Sequence, residues 1–213
     1  MFLGPDDHRR GLGGEDRFLT AAGFAGPGVD VEIVDEDGRT LGPGRPGEVC
    51  VRGDQVFAGY RDDPDATAGA RRDGWLRTGD IGVLAEDGLL AIVDRAKDII
   101  VTGGENVASR EVEDVIGGHP QVARVAVVGL ADERWGEAVC AVVVARPDAG
   151  RDAGDLEAEI LRLARSRLAG FKVPKRVVFV DDLPVNSSGK VVKADLRRQL
   201  VQPGGDRRRG TEG

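Results

Sequence analysis

Residues 77–104 read RTGDIGVLAEDGLLAIVDRAKDIIVTGG, and along them the chain passes from one kind of structure into another. Up to Val93 the pattern is that of a hairpin: 81–84 and 89–93 are short apolar runs joined across Asp87-Gly88, a dipeptide suited to a tight turn. After Lys97 a further strand is predicted over 99–102, ending at Gly103-Gly104, and helical spacing follows it. A domain boundary is therefore placed at residues 96–97.

Outward from that boundary the two sides differ. Upstream, 28–94 reads as small β-structure: Val29, Val31 and Ile33 alternate with Asp30 and Glu32, Asp37-Gly38 supplies a turn, and 47–52 forms another strand. One short helix is predicted over 64–71, with Asp63 ahead of Pro64 in its first turn. Downstream, Ser109 is expected to cap a helix running to about Ile116, with Glu111 and Glu113 near its positive end. The near-continuous apolar runs 122–129 and 138–145 suit strands covered on both faces. Leu156, Ile160, Leu163 and Leu168 fall on one helical stripe over 155–168; a strand over 177–180 and a helix over 193–200 follow. Residues 201–213, rich in Gly and Arg, read as a disordered tail.

Composition narrows the function classes. The 213 residues are 40% hydrophobic and 31% charged, enough to bury a core in one ordinary domain or two small ones. A net charge of −7 argues against a nucleic-acid partner, which needs a concentrated basic face. No apolar run approaches the ~20 residues of a membrane span, and residues 1–12 lack the pattern of a secretory signal. Cys50 and Cys140 lie in apolar strand contexts and read as free, buried thiols, consistent with a reducing cytoplasm; no metal site is expected.

Three motif matches fail on context. Gly42-Pro43-Gly44-Arg45-Pro46-Gly47 fits G-x-G-x-x-G but precedes a strand instead of following one. Gly189-Lys190 lacks both the earlier glycine and the following hydroxyl of a phosphate loop. Asn186-Ser187-Ser188 fits a glycosylation acceptor in a chain with no secretory route. Taken alone, Asp80 is a turn residue, Arg95 and Lys97 are solvated cations, Lys190 is a surface lysine, and His8 and His119 have no chemical role.

In combination several segments say more. Arg77-Thr78-Gly79-Asp80, Asp94-Arg95-Ala96-Lys97-Asp98 and Pro184-Val185-Asn186-Ser187-Ser188-Gly189-Lys190, with Gly47-Glu48 and Gly59-Tyr60, resemble the C-terminal part of the adenylate-forming enzymes. Gly103-Gly104-Glu105-Asn106 and Phe171-Lys172-Val173-Pro174-Lys175 resemble the acid–CoA ligase branch in particular. The resemblance runs from about residue 5 to 200. It implies an α+β fold: a small β-rich, distorted barrel-like subdomain over 1–96, then a compact mixed domain over 97–200 that moves as a unit.

The resemblance also implies roles. Asp80 would hold the ribose of ATP through its vicinal hydroxyls, with Arg95 at the ribose and phosphate. Lys97 would be the hinge about which the C-terminal domain swings. Lys190 would be the catalytic lysine that joins carboxylate to α-phosphate. Gly103, Gly104, Glu105, Trp135, Phe171, Lys172 and Lys175 would meet CoA, although Val173 stands where some relatives carry an arginine. The substrates implied are a carboxylic acid, ATP and CoA. The family's Ser/Thr- and Gly-rich phosphate loop ending in Pro-Lys is absent from these residues, as is its Tyr-Gly-x-Thr-Glu segment, whose Glu helps hold Mg²⁺. Both, with most of the acyl pocket, are expected upstream of residue 1, on a body that a separate N-terminal half would have to supply. The expectation is thus a fragment inactive alone. The alternatives are a stand-alone module binding a nucleotide, CoA or a partner chain, the C-terminal part of a carrier-protein-loading adenylation domain, and an inactive truncation product.

Overall fold

The structure is a computed structural model that describes residues 1–147 and 153–201. It divides into two compact units, Met1–Lys97 and a second beginning at Asp98.

The first unit opens with two short helices absent from the sequence reading, α1 (Pro5–Leu12) and α2 (Arg17–Thr20). Its sheet follows: β1 (Val29–Val34), β2 (Pro46–Gly53), β3 (Arg71–Arg72), β4 (Trp75–Leu84) and β5 (Leu90–Arg95), with α3 (Pro64–Ala70) before β3. The order is β1-β2-β4, and both β3 and β5 pair with β4, making a curled antiparallel sheet. Register shifts interrupt β2 between Glu48 and Cys50 and β4 between Ile81 and Gly82, increasing the local twist. Ile33, Val49 and Leu90 are buried between the layers, the inward side of the predicted alternation. Helix α3 is capped as expected: Asp63 accepts from the Ala66 amide at 2.9 Å.

One correction matters for the site. Strand β4 does not begin at residue 80; it starts at Trp75 and carries all of Arg77–Asp80. Thr-Gly-Asp reads locally as a turn, but pairing of Arg77 with Cys50 and of Leu76 with Val51 overrides that preference.

The second unit contains β6 (Ile99–Thr102), β7 (Glu105–Ala108), α4 (Ser109–Gly117), β8 (Val122–Asp132), β9 (Gly136–Ala145), α5 (Ala153–Arg167), β10 (Arg176–Phe179) and α6 (Lys193–Val201). Strand β9 pairs with β8 along its whole length; its other edge takes β10 in parallel at Cys140–Val143 and touches β6 at Gly136. Successive β9 side chains serve two cores. Val139, Ala141 and Val143 pack with Val112, Ile116, Leu156, Ile160 and Ala164 of α4 and α5. Cys140 and Val142 pack with Ala126, Val128, Val178, Leu183 and Leu196 of α6. Both faces are covered, so the run is apolar at every position. Each fully buried aliphatic side chain contributes about 1.5–3 kcal/mol.

Several expectations are refined. Strand β7 was not anticipated; it returns the chain antiparallel to β6 across Gly103-Gly104. Ser109 is not the helix cap: extended Ala108 holds that position and Ser109 is the first helical residue. The α5 stripe is Leu156, Ile160 and Ala164, with Leu163 only half-buried. Val201 closes α6, and the rest of the expected tail, 202–213, lies outside the described residues. Both cysteines are free and buried, and desolvation first of all raises both thiols, Cys140 to about 11.

Candidate functional site

In the first unit the β4–β5 register sets Asp80 directly opposite Arg95. Their side chains form an ion pair, Arg95 Nε to Asp80 Oδ1 at 2.7 Å, with Arg95 half exposed. Arg95 is the last residue of β5, and its amide donates to Asp94 Oδ1 at 2.8 Å. A carboxylate held through one oxygen keeps lone pairs for two vicinal hydroxyls, and the terminal guanidinium nitrogens stay available to a phosphate.

Glu48, to which the sequence reading gave no role, organises this segment from β2. It accepts from Arg77 Nε at 2.8 Å, from Arg77 Nη2, and from the Gly79 amide at 3.2 Å. Thr78 Oγ1 donates to the Val49 carbonyl at 2.8 Å and accepts from the Asp80 amide at 3.1 Å. The hydrogen bond that Arg77 donates to Glu48 raises the Arg77 pKa. The motif is therefore pinned along the three residues that lead into Asp80, whose carboxylate stays partly exposed. Lys97 is exposed in a 3₁₀ turn, Ala96–Asp98, at the unit boundary. Next to it, the nearly buried Asp98 accepts from Arg197 Nη2 at 3.2 Å, which ties the start of the second unit to α6.

In the second unit Lys190 closes a tight exposed turn. Asn186 Oδ1 accepts from the amides of Ser188 at 3.1 Å and Lys190 at 2.9 Å, and the Asn186 amide donates to the Lys190 carbonyl at 2.9 Å. Gly189 adopts φ +78°, a conformation that strains other residues. The Lys190 ammonium is exposed and makes no ion pair among the described residues. Lys193 is different. Its ammonium lies 2.7 Å from Glu113 Oε1 and 2.6 Å from Ser109 Oγ, so it fastens α6 to α4.

The predicted acceptor residues separate into two groups. Gly103, Trp135 and Lys175 come together: the Gly103 amide donates to the Trp135 carbonyl at 2.8 Å, and Lys175 Nζ lies 5.5 Å from the indole centroid. Gly103 has φ +61°, and a Cβ there would meet Trp135 Cε3 at 3.0 Å. Arg134, absent from the sequence reading, joins them, its Cζ 4.7 Å from the same ring. Phe171 and Lys172 form the other group, 5.8 Å apart, and Lys172 is held by Glu111 at 2.7 and 2.8 Å. Gly104 completes the β6–β7 turn, and Glu105 is exposed at its edge.

No set of three or more His, Cys, Asp and Glu side chains that could hold a metal occurs among the described residues. The residues present do not fit magnesium, and no step is assigned to it. Among the described residues no helix is long and apolar enough to cross a membrane.

The family model described as AMP-binding enzyme matches residues 10–61, and the one described as AMP-binding enzyme C-terminal domain matches residues 111–190. The chain belongs to this AMP-binding, adenylate-forming family. It is 44% identical over 207 residues to the medium/long-chain-fatty-acid–CoA ligase FadD8 of Mycobacterium tuberculosis, covering 96% of this chain and 35% of that protein. Among solved structures, ATP-bound MatB from Rhodopseudomonas palustris matches with a TM-score of 0.78 at 42% identity, over 85% of this chain and 36% of that one. The amide bond synthetase McbA from Marinactinospora thermotolerans matches with 0.79 at 45%, over 93% and 39%. The chain spans about a third of the length of the curated relatives it matches.

Proposed function

We propose that these residues perform the C-terminal part of an ATP-dependent carboxylic acid–CoA ligase reaction, in which adenylation draws on further residues beyond the 213. The observation that carries the reading is the Asp80–Arg95 pair, aligned across β4 and β5 with carboxylate oxygens to spare. Asp80 accepts the ribose hydroxyls of ATP, and Arg95 sits at the ribose and phosphate. Lys190 brings its ammonium to the point where the substrate carboxylate meets the α-phosphate. A carboxylate oxygen attacks that phosphorus, the bond to pyrophosphate breaks, and the acyl-adenylate remains. A cation placed there lowers the barrier, by about 10²–10³ in rate for one such group.

The second half-reaction uses other residues of the second unit. Lys97 serves as the hinge, at an element end where a polar exposed residue tolerates a change in backbone angles. The Gly103-Gly104-Glu105 turn, Trp135, Phe171, Lys172 and Lys175 then receive CoA. Its sulfur attacks the acyl carbonyl, the C–S bond forms, AMP leaves and the thiol proton passes to solvent. The relatives include ligases named for fatty acids, indoleacetate and ferulate.

The test separates the two steps. In a protein carrying this sequence together with the remaining body of a relative, Lys190→Ala is expected to lower adenylation about 10²–10³-fold. Thioester formation from preformed acyl-adenylate is expected to change little. Equal losses in both steps would remove Lys190 from the role.

A further inference from the structure

Strand β4 lies against β2 in two registers. Glu48 stands opposite Ile81 and Cys50 opposite Arg77, so Val49 alone faces the three residues Thr78, Gly79 and Asp80. The surplus arches away from the β2 ladder, and Gly79 takes φ +70° within it. At its far end the chain is on a ladder again, with Asp80 paired to Arg95 of β5. An arch gives up the backbone partners of a regular strand, and here side chains replace them. Thr78 Oγ1 donates to the Val49 carbonyl at 2.8 Å and accepts from the Asp80 amide at 3.1 Å. Glu48 Oε1 accepts from the Gly79 amide at 3.2 Å, while its Oε2 is taken by Arg77, which fixes the direction of the carboxylate. The Glu48 side chain is only 16% exposed, so water competes little for these bonds. A Cβ on Gly79 would meet nothing within 4 Å, so the arch borders open space.

Placement matters at the end of this arch. The Asp80 carboxylate is already tied through Oδ1 to Arg95 at 2.7 Å. It can serve two vicinal hydroxyls only from a narrow range of positions, because hydrogen bonds weaken beyond about 3.2 Å. We propose that Glu48 and Thr78 are positioning residues for the nucleotide. They hold the arch so that Asp80 meets both ribose hydroxyls, and this sets the preference for ribose over 2′-deoxyribose. The proposal rests on the reading of Asp80 as the ribose acceptor and adds the two side chains that place it.

The test measures kcat/KM for adenylation with ATP and with 2′-deoxy-ATP, in a protein carrying this sequence together with the remaining body of a relative. Wild type is expected to prefer ATP about tenfold or more, since a hydrogen bond to a charged acceptor is lost with the 2′-hydroxyl. Glu48→Gln offers one oxygen in place of two and is expected to shrink the preference severalfold, with the acid requirement unchanged. Thr78→Val is expected to do the same and Thr78→Ser, which keeps the hydroxyl, to retain it. With Asp80→Ala already present, neither Glu48→Gln nor Thr78→Val should lower the preference further. Urea denaturation of the 213-residue chain shows whether each variant folds; if Glu48→Gln does not, the contrast between Thr78→Val and Thr78→Ser decides. An unchanged preference in either folded variant, or equal losses with both nucleotides, would overturn the proposal. An effect undiminished in the Asp80→Ala background would overturn it too, because that effect would not run through Asp80. A wild type indifferent to the 2′-hydroxyl would remove the ribose reading itself, and this proposal with it.

Discussion

A carboxylate bound to arginine through one oxygen still has lone pairs to offer, and Asp80 is held in that state. Arg95 takes Oδ1, and Glu48 holds the residues just before it through the Arg77 side chain and the Gly79 amide. Asp80→Ala, made in a catalytically complete protein, is expected to raise the ATP concentration needed for half-maximal adenylation about tenfold or more while leaving the acid requirement unchanged. Steady-state kinetics with each substrate varied would check it, and an unaltered ATP response would take Asp80 out of the ribose site. Cys140 shows the opposite design, a reactive group made inert by burial. Its thiol is lifted from 9.0 to about 11 by desolvation, so the folded state disfavours the thiolate. A raised folded pKa leaves stability constant below pH 9 and lowers it from there towards pH 11, by about 1.4 kcal/mol per pH unit. Urea denaturation at pH 8, 9 and 10 should show the decline, and Cys140→Ser or Cys140→Ala should abolish this part of it. A decline undiminished in the variants would assign it to other groups. At this scale the sequence was most legible where chemistry is local. The Asn186–Lys190 segment carries its own turn and partners, whereas Arg77–Asp80 takes its partners from Glu48 and Val49 of β2. Arg134 was not legible, because its meeting with Lys175 at Trp135 depends on where β8, β9 and the segment before β10 come to lie.

Between elements, the helices of the second unit are fastened by charge as well as by apolar contact. Lys193 lies against Glu113 and Ser109 with only 14% of its side chain exposed, and Glu113 also accepts from the Val127 amide at 2.8 Å. One half-buried carboxylate thus joins α4, α6 and β8. Lys193→Met keeps the length of the side chain but leaves Glu113 without this cation, and is expected to cost about 2–3 kcal/mol. The urea midpoint should fall with an unchanged slope. A midpoint within error of wild type would mean that the apolar contacts of Leu196 and the Arg197–Asp98 pair suffice to seat α6. Lys193 thus serves packing, unlike the exposed Lys190 three residues before it. Differences between sequence and structure arise at the same scale. Alternation and apolar runs announced β1, β8 and β9, because burial writes its own period. The extension of β4 back to Trp75, the strand β7 over Glu-Asn-Val-Ala, and the parallel pairing of β10 with β9 come from ladder partners distant in sequence.

At the scale of the molecule, the unit boundary falls between Lys97 and Asp98, beside the 3₁₀ turn where two differently built cores meet in the chain. Along residues 77–104 the sequence itself changes pattern, from hairpin strands to buried runs and helical spacing. Which acid is used was not legible, because the residues that would choose it are not among these motifs. On the proposed function, these 213 residues form a competent C-terminal half of an adenylate-forming ligase. The most direct measurement is pyrophosphate release with ATP, magnesium and a panel of carboxylic acids, from the chain by itself and from the chain mixed with a separately expressed N-terminal body of a relative. The account predicts release only in the mixture, and its loss when the chain carries Lys190→Ala. Release from the chain by itself, or a mixture indifferent to Lys190, would contradict it.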